Sequence, residues 1–401
     1  MVHAIGVTAL LAMSVGGYVA GSPLVSALLP VSPILLGALG TALLVAVRPV
    51  GEPIPLQRLG VVLLFGAGLV GGWAFATGSA YASDKGAHLA TMVPLSMIGG
   101  VVLLRHRRAR AWWVAATIGY AFLVSALILL APDQVAAESS RLSLEGGNTI
   151  AAGRAPGAAV AALLTLAVAR NRYRARLLLM AAALSIVLLA TGSRGPLLAV
   201  IAAFALVVPL VPARSNGRPR WVWLGPAVAA VAGAGYWGVS HGFLADRLTT
   251  VTDGSALTRV ALYEATWEEV GRHPFGAGWG YLEQVYANGH LAGFTYPHNI
   301  LLETVVEAGW LGFAGLVAVL VMAWRTQRSR CEDPYELAML ALLVFFFISA
   351  LVSGDLPSHR ALWVMVGACA TGPLLPTPRH SVAGDVSDAR ARRRSAGTRA
   401  R

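Results

Sequence analysis

Charge is what this 401-residue sequence has least of. Only 12% of its residues are Asp, Glu, Lys or Arg, while 56% are hydrophobic and the mean hydropathy is +0.66; an average soluble domain is about 25% charged. So small a charged fraction excludes a disordered chain and a coiled coil, and it cannot coat a soluble globule of this size. Lysine is nearly missing: Lys85 stands alone beside 30 arginines. The two cysteines, Cys331 and Cys369, exclude a disulfide scaffold and supply no metal-ligand spacing. The first apolar stretch lacks both a basic start and a small-residue cleavage site followed by a soluble domain, so it reads as a retained span. The class left standing is an all-α polytopic membrane protein.

A spanning helix needs about 20 mostly apolar residues. Twelve stretches qualify, near 4–21, 27–47, 59–78, 87–104, 111–132, 152–169, 177–192, 196–212, 221–239, 299–324, 335–354 and 361–377. With the N-terminus inside, the segments 48–58, 105–110, 170–176, 213–220, 325–334 and the tail from 378 face the cytoplasm. They hold 23 of the 31 basic residues and only 5 of the 19 acidic ones, as the positive-inside rule requires. Both termini are then cytoplasmic in a multi-pass protein of the plasma (inner) membrane. Two outer connections stand out. The hairpin Gly192-Ser193-Arg194-Gly195-Pro196 is very tight. The stretch 240–298 is long but rich in Trp, Tyr, His and Gly, which predicts a folded lid with a helix over 256–270, Ser255 as its N-cap and Gly271 as its stop.

The outer side also carries the unusual polar residues. Arg194, with Ser193, opens a helix after a Gly-rich turn, and free backbone N–H groups beside a guanidinium make an anion seat suited to phosphate. Arg259 lies on the loop helix, where i+3 and i+4 hold the uncharged Leu262 and Tyr263, so its own helix gives it no ion-pair partner. The run His273-Pro274-Phe275-Gly276-Ala277-Gly278-Trp279-Gly280 predicts a tight turn at the bilayer surface, with an aromatic belt from Trp279, Tyr281 and Tyr286. In Tyr296-Pro297-His298-Asn299, His298 sits at the head of a span. Asn299, Glu303 and Glu307 follow at i, i+4 and i+8, about 6 and 12 Å down the helix, where ionisable groups face a cavity or a partner. A histidine at that mouth suits general-base work. Asp355 and Arg360 are rim candidates in the last outer loop. No Asp-x-Asp pair lies on the outer side to hold a divalent cation, so no cofactor or metal is expected.

Taken together, Thr191-Gly192-Ser193-Arg194-Gly195, Arg259 with Trp267, the His273-Pro274-Phe275-Gly276 run, Pro297-His298-Asn299 with Glu303, and Glu307-x-Gly309 resemble the O-antigen ligase and polymerase superfamily. The resemblance is clearest over 177–325. It implies a GT-C-like bundle of about 12 transmembrane helices, divided into N-terminal helices (1–176), a ligase-related core with its extracytoplasmic loop 240–298 (177–325), C-terminal helices (326–377) and a basic tail (378–401). It further implies a glycosyltransferase that moves a glycan from an undecaprenyl or other polyprenyl diphosphate carrier to a hydroxyl on a glycan, a lipid or a protein, in polysaccharide biosynthesis at the cell envelope. By position, Arg194 and Arg259 would hold the diphosphate and His298 would assist the acceptor, with Arg154 as a candidate further arginine. Metal-free, inverting transfer is the expected chemistry, with no nucleic-acid partner. The alternatives are a protein O-oligosaccharyltransferase, a peptidoglycan polymerase using a loop carboxylate such as Asp246 or Asp253, and a transporter of lipid-linked glycans. A transporter predicts paired broken helices and midplane charges, which this sequence does not display.

Overall fold

A computed structural model describes residues 2–19, 31–47, 56–130, 149–169, 173–211 and 254–371. The described residues form fourteen α-helices and no strand. In chain order these are α1 (Val2–Val15), α2 (Pro33–Val47), α3 (Leu56–Ala74), α4 (Ala80–Leu103), α5 (Arg107–Leu130), α6 (Thr149–Ala169), α7 (Arg174–Ala190), α8 (Arg194–Val207), α9 (Gly254–Val270), α10 (Tyr281–Ala287), α11 (Ile300–Glu307), α12 (Gly309–Arg328), α13 (Pro334–Val352) and α14 (Arg360–Thr371). Five of them, at 80–103, 107–130, 150–169, 309–328 and 334–352, are long and apolar enough to cross a membrane. The expected span 221–239, the alternative carboxylates Asp246 and Asp253, and the tail 378–401 lie outside the described residues.

Each other expected span overlaps helix where it is described, because long apolar runs satisfy their own backbone hydrogen bonds only that way. Pro33 and Pro156, which break interior helical ladders, do not remove theirs: Pro33 opens α2, and α6 continues through Pro156. Both cysteines are buried free thiols.

Four expectations need correction. The stretch 299–324 is not one helix. It breaks at Gly309, where φ is +71°, because the 274–277 turn presses on that point. The Trp310 N–H donates to the Pro274 carbonyl at 3.1 Å, and a Cβ on Gly309 would strike the Phe275 backbone. The loop helix begins at Gly254, which puts Ser255 inside it, although it stops before Gly271 as expected. The loop also folds a second short helix, α10. Finally, Trp279 and Tyr286 form no surface belt, because both are fully buried. The positive-φ glycines 276, 278 and 280 turn the chain back onto α3. There the Trp279 N–H donates to Gly72 O and its indole N–H to Leu69 O, each at 3.0 Å. Exposed aromatics in and beside the loop include Phe275, Trp267, Phe75 and Trp310 instead.

Helix α6 runs through the core against α5, α7, α8 and α13, while α14 packs on α4, α12 and α13. Helices α3 and α12 cross at Gly68 and Gly312, so closely that a Cβ on Gly68 would meet the Gly312 Cα. At one end of the bundle Arg107 pairs with Asp333. The buried Arg110 reaches Glu336 Oε2 at 2.6 Å, Gln327 Oε1 at 3.0 Å and the carbonyls of Leu104 and Ala368. The clusters 105–110 and 325–336 therefore share that end. The connections 191–196, 273–299 and 353–359 share the other.

Candidate functional site

At this second end, several segments close on the turn between α13 and α14. The turn passes through Gly354 (φ +82°) into a single 3-10 turn, Leu356–Ser358, which Asp355 caps by accepting from the Ser358 N–H at 3.2 Å. The rim candidate Asp355 is thus the N-cap of that turn, and the Tyr81 hydroxyl donates to its other oxygen at 3.4 Å.

His298 sits against this turn at the head of α11. Its φ of +60° makes it the one non-glycine residue with positive φ among the described residues, a conformation costing about 1–3 kcal/mol and held only by its surroundings. The Gly354 N–H donates to His298 Nδ1 at 3.3 Å, and Tyr296 meets the imidazole edge-on with centroids 4.6 Å apart. Asn299 directly after it is the N-cap of α11, accepting from the Leu301 and Leu302 N–H groups at 3.0 and 3.2 Å. Burial, joined by the cationic Arg259 and Arg154, pushes the His298 pKa down to about 4, and the carboxylate of Asp355 only partly opposes this. The imidazole is therefore neutral at physiological pH. His359, buried in the same turn, is held well below its ordinary value by burial and by Arg154.

The arginines approach from three elements. On α6, Arg154 is 8% exposed; it donates to the Ser353 carbonyl at 2.9 Å, and its Nε has no hydrogen-bond partner among the described residues. On α9, the Tyr263 hydroxyl, one turn past Arg259, donates to Leu351 O at 3.3 Å and so docks that helix beside the turn. On α8, the exposed Arg194 is the first helical residue, and Ser193 takes the N-cap position without a side-chain capping bond. A Cβ on Gly153 would lie 2.9 Å from Thr191 Oγ1 and 3.2 Å from Ser193 Cβ, and Gly195 faces Val352. The Ser193–Arg194 hairpin therefore packs between the residue preceding Arg154 and the last residue of α13. Arg360 opens α14 at the same turn, with its guanidinium over Gly17. Trp267 is not brought in: it lies on the outward face of α9 with Leu257 and Val260.

Glu303 and Glu307 face a partner inside the bundle, and that partner is Lys85. Its Nζ, fully buried on α4, lies 2.6 Å from Glu303 Oε1 and pairs with Glu307 as well. The Tyr81 and Trp279 rings stand 5.4 Å from the ammonium. Each carboxylate also takes backbone donors: Leu356 N–H to Glu303 at 3.0 Å, and Gly280 N–H to Glu307 at 3.2 Å. The functional reading of the sequence missed Lys85. The signal was there, in a lone lysine inside an apolar run and two intramembrane glutamates in want of a counter-ion. Among the described residues, no group of three or more His, Cys, Asp or Glu is arranged to hold a metal ion.

Residues 177–317 match the family model for O-antigen ligase. The matched stretch runs from α7 into α12 and contains Arg194, Arg259, His298, Glu303 and Glu307, but neither Arg154 nor Lys85 nor the 353–359 turn. No curated protein matches the chain.

Proposed function

We propose that this chain, whose residues 177–317 match the family model for O-antigen ligase, is a membrane glycosyltransferase that transfers a glycan from a polyprenyl diphosphate carrier to a hydroxyl acceptor on the extracytoplasmic face. In this reading the chain spans the plasma membrane twelve times with both termini in the cytoplasm, and the His298 end of the bundle faces out. The observation that carries the proposal is the convergence of Arg154, Arg259 and the Ser193–Arg194 hairpin on the turn that also holds His298. Guanidinium groups that meet a neutral imidazole are what a diphosphate leaving group and an incoming alcohol need side by side.

The carrier's phosphates would lie between Arg194, Arg259 and Arg154, with its glycan toward His298. Below Arg194, at i+4 and i+7 on the same face of α8, Leu198 and Ile201 are exposed. That apolar ridge gives a polyprenyl tail a path along the helix within lipid. The acceptor oxygen attacks the anomeric carbon from the side opposite the diphosphate. The carbon–oxygen bond to phosphate breaks, its electron pair leaves on the diphosphate, and the arginines stabilise that charge without a metal ion. The anomeric centre inverts.

His298 would take the acceptor's proton. The Gly354 N–H occupies Nδ1, so in the resting arrangement the ring proton is on Nε2. The base form requires a ring rotation that releases this contact. At 3.3 Å it is long, and a neutral hydrogen bond of ordinary length contributes only about 0.5–1.5 kcal/mol. Once diphosphate sits beside the arginines, its negative charge favours the imidazolium that forms, so donor binding prepares acceptor activation.

The test is transfer by the purified protein, reconstituted in lipid, from a polyprenyl diphosphate oligosaccharide to glycan, lipid and protein acceptors in parallel. Product from one acceptor class, lost with His298→Ala while the protein remains folded, is expected. An inactive wild type with every acceptor, or an active His298→Ala variant, overturns the reading.

A further inference from the structure

We infer that Lys85 is a positioning residue for this site: its buried ammonium clamps Glu303 and Glu307, and through them fixes the two loop segments that frame His298. This rests on the proposed transferase reading for its catalytic consequence, but not for its geometry.

The clamp joins four segments far apart in sequence. Lys85 comes from the first turns of α4, and the two carboxylates come from successive turns of α11, directly below His298 and Asn299. Glu303 accepts from Leu356 N–H through both oxygens, at 3.2 and 3.0 Å. Two residues earlier in that turn, Gly354 N–H meets His298 Nδ1. Glu307 accepts from Gly280 N–H at 3.2 Å and Leu282 N–H at 3.5 Å, where α10 begins. Lys85, Glu303 and Glu307 are all fully buried, where charges interact more strongly than at the surface.

The charges explain why lysine is needed. Two carboxylates one helical turn apart repel each other and cannot both stay ionised in a dry interior without a cation between them. A carboxylate that the ammonium keeps ionised is a strong acceptor for backbone N–H groups. Without the ammonium they would protonate or drift toward water, and either change loosens the Leu356 and Gly280 segments. The loss would reach His298 as misplacement, and a shift of about 1 Å in a catalytic group costs on the order of 10²-fold in rate. Arg194 and Arg259 sit on α8 and α9, to which the clamp makes no direct bond, and Arg154 meets the clamped turn only through the Ser353 carbonyl, so the loss should fall mainly on kcat rather than on donor binding.

The experiment has a structural arm and a kinetic arm. Leu356 is fully buried at the point Glu303 holds, and both native cysteines are buried. In a Leu356→Cys background, a membrane-impermeant maleimide added to intact cells should leave the site unlabelled when Lys85 is present and label it with Lys85→Met. Equal protection in both overturns the clamp. Because Lys85→Met alone strands buried charge and can fail to fold, a second variant combines it with Glu303→Gln and Glu307→Gln, removing charge and clamp together. This variant should reach the membrane at wild-type level, with kcat lowered about 10²-fold and the KM for the lipid-linked donor within twofold. Wild-type kcat, or a loss confined to donor KM, overturns the positioning role. The labelling arm needs no substrate, so a wild-type protein inactive on lipid-linked glycans would remove the functional reading and leave the clamp standing.

Discussion

An imidazole in the left-handed region, against a turn and within reach of two guanidinium charges, is an expensive arrangement for a residue with no task. Its titration gives the first prediction. Burial with Arg259 and Arg154 lowers the folded pKa of His298 to about 4, from an ordinary 6.5. The stabilisation from keeping it neutral is fully present above pH 6.5, is lost as pH falls from 6.5 toward 4, and levels off below that. The acid limb of kcat/KM should accordingly lie near pH 4. Replacing Arg259 with Gln should move the limb toward 6.5, and a limb that stays fixed would uncouple the two side chains. The second prediction concerns Arg194→Lys. A compact ammonium cannot reproduce a two-pronged grip on phosphate, so transfer should drop about 10-fold or more, as read by initial rates at saturating acceptor; unchanged rates would remove Arg194 from the diphosphate seat. At this scale the sequence marked His298, Arg194 and the Glu303–Glu307 stripe, because polar groups in an apolar setting stand out. It did not link Lys85 to them, since a contact across more than 200 positions leaves no periodic trace.

The helices themselves were legible, because an apolar run of spanning length has one way to satisfy its backbone. What hydropathy could not see was tertiary. The break between α11 and α12 exists because the Phe275–Gly276 backbone lies against Gly309. The burial of Trp279 follows from three glycine φ values that fold the loop inward. Two substitutions test these junctions. Gly309→Ala forces a side chain into a positive-φ position that also lacks room, and should lower stability by at least about 1–2 kcal/mol in thermal unfolding in detergent. Gly68→Leu pushes α3 off α12 at their closest approach and should deplete folded protein from the membrane, measured by its yield as a monodisperse species. A normal yield would mean the crossing tolerates a bulky residue.

At the scale of the whole fold, the ionic contacts among the described residues gather at two ends. One holds Arg107, Arg110, Asp333 and Glu336; the other holds the candidate site and Lys85. This polarity agrees with the asymmetry of arginine along the chain. It predicts that reporter fusions after residues 110 and 328 behave as cytoplasmic and one after residue 290 as extracytoplasmic. The opposite pattern would turn the site to the wrong side of the membrane. At the first end, Glu336→Leu strands the buried Arg110 and should cost about 3–5 kcal/mol, seen as a lowered midpoint of thermal unfolding.

The solitary lysine has one more use. Apart from the chain's own amino terminus, its ammonium is the only primary amine in the protein, and folding seals it from solvent. Amine-selective acylating reagents should therefore leave the side chain of the native protein untouched and mark it only in molecules that have opened, so that a single modified peptide, counted by mass spectrometry, becomes a clock for unfolding in intact membranes.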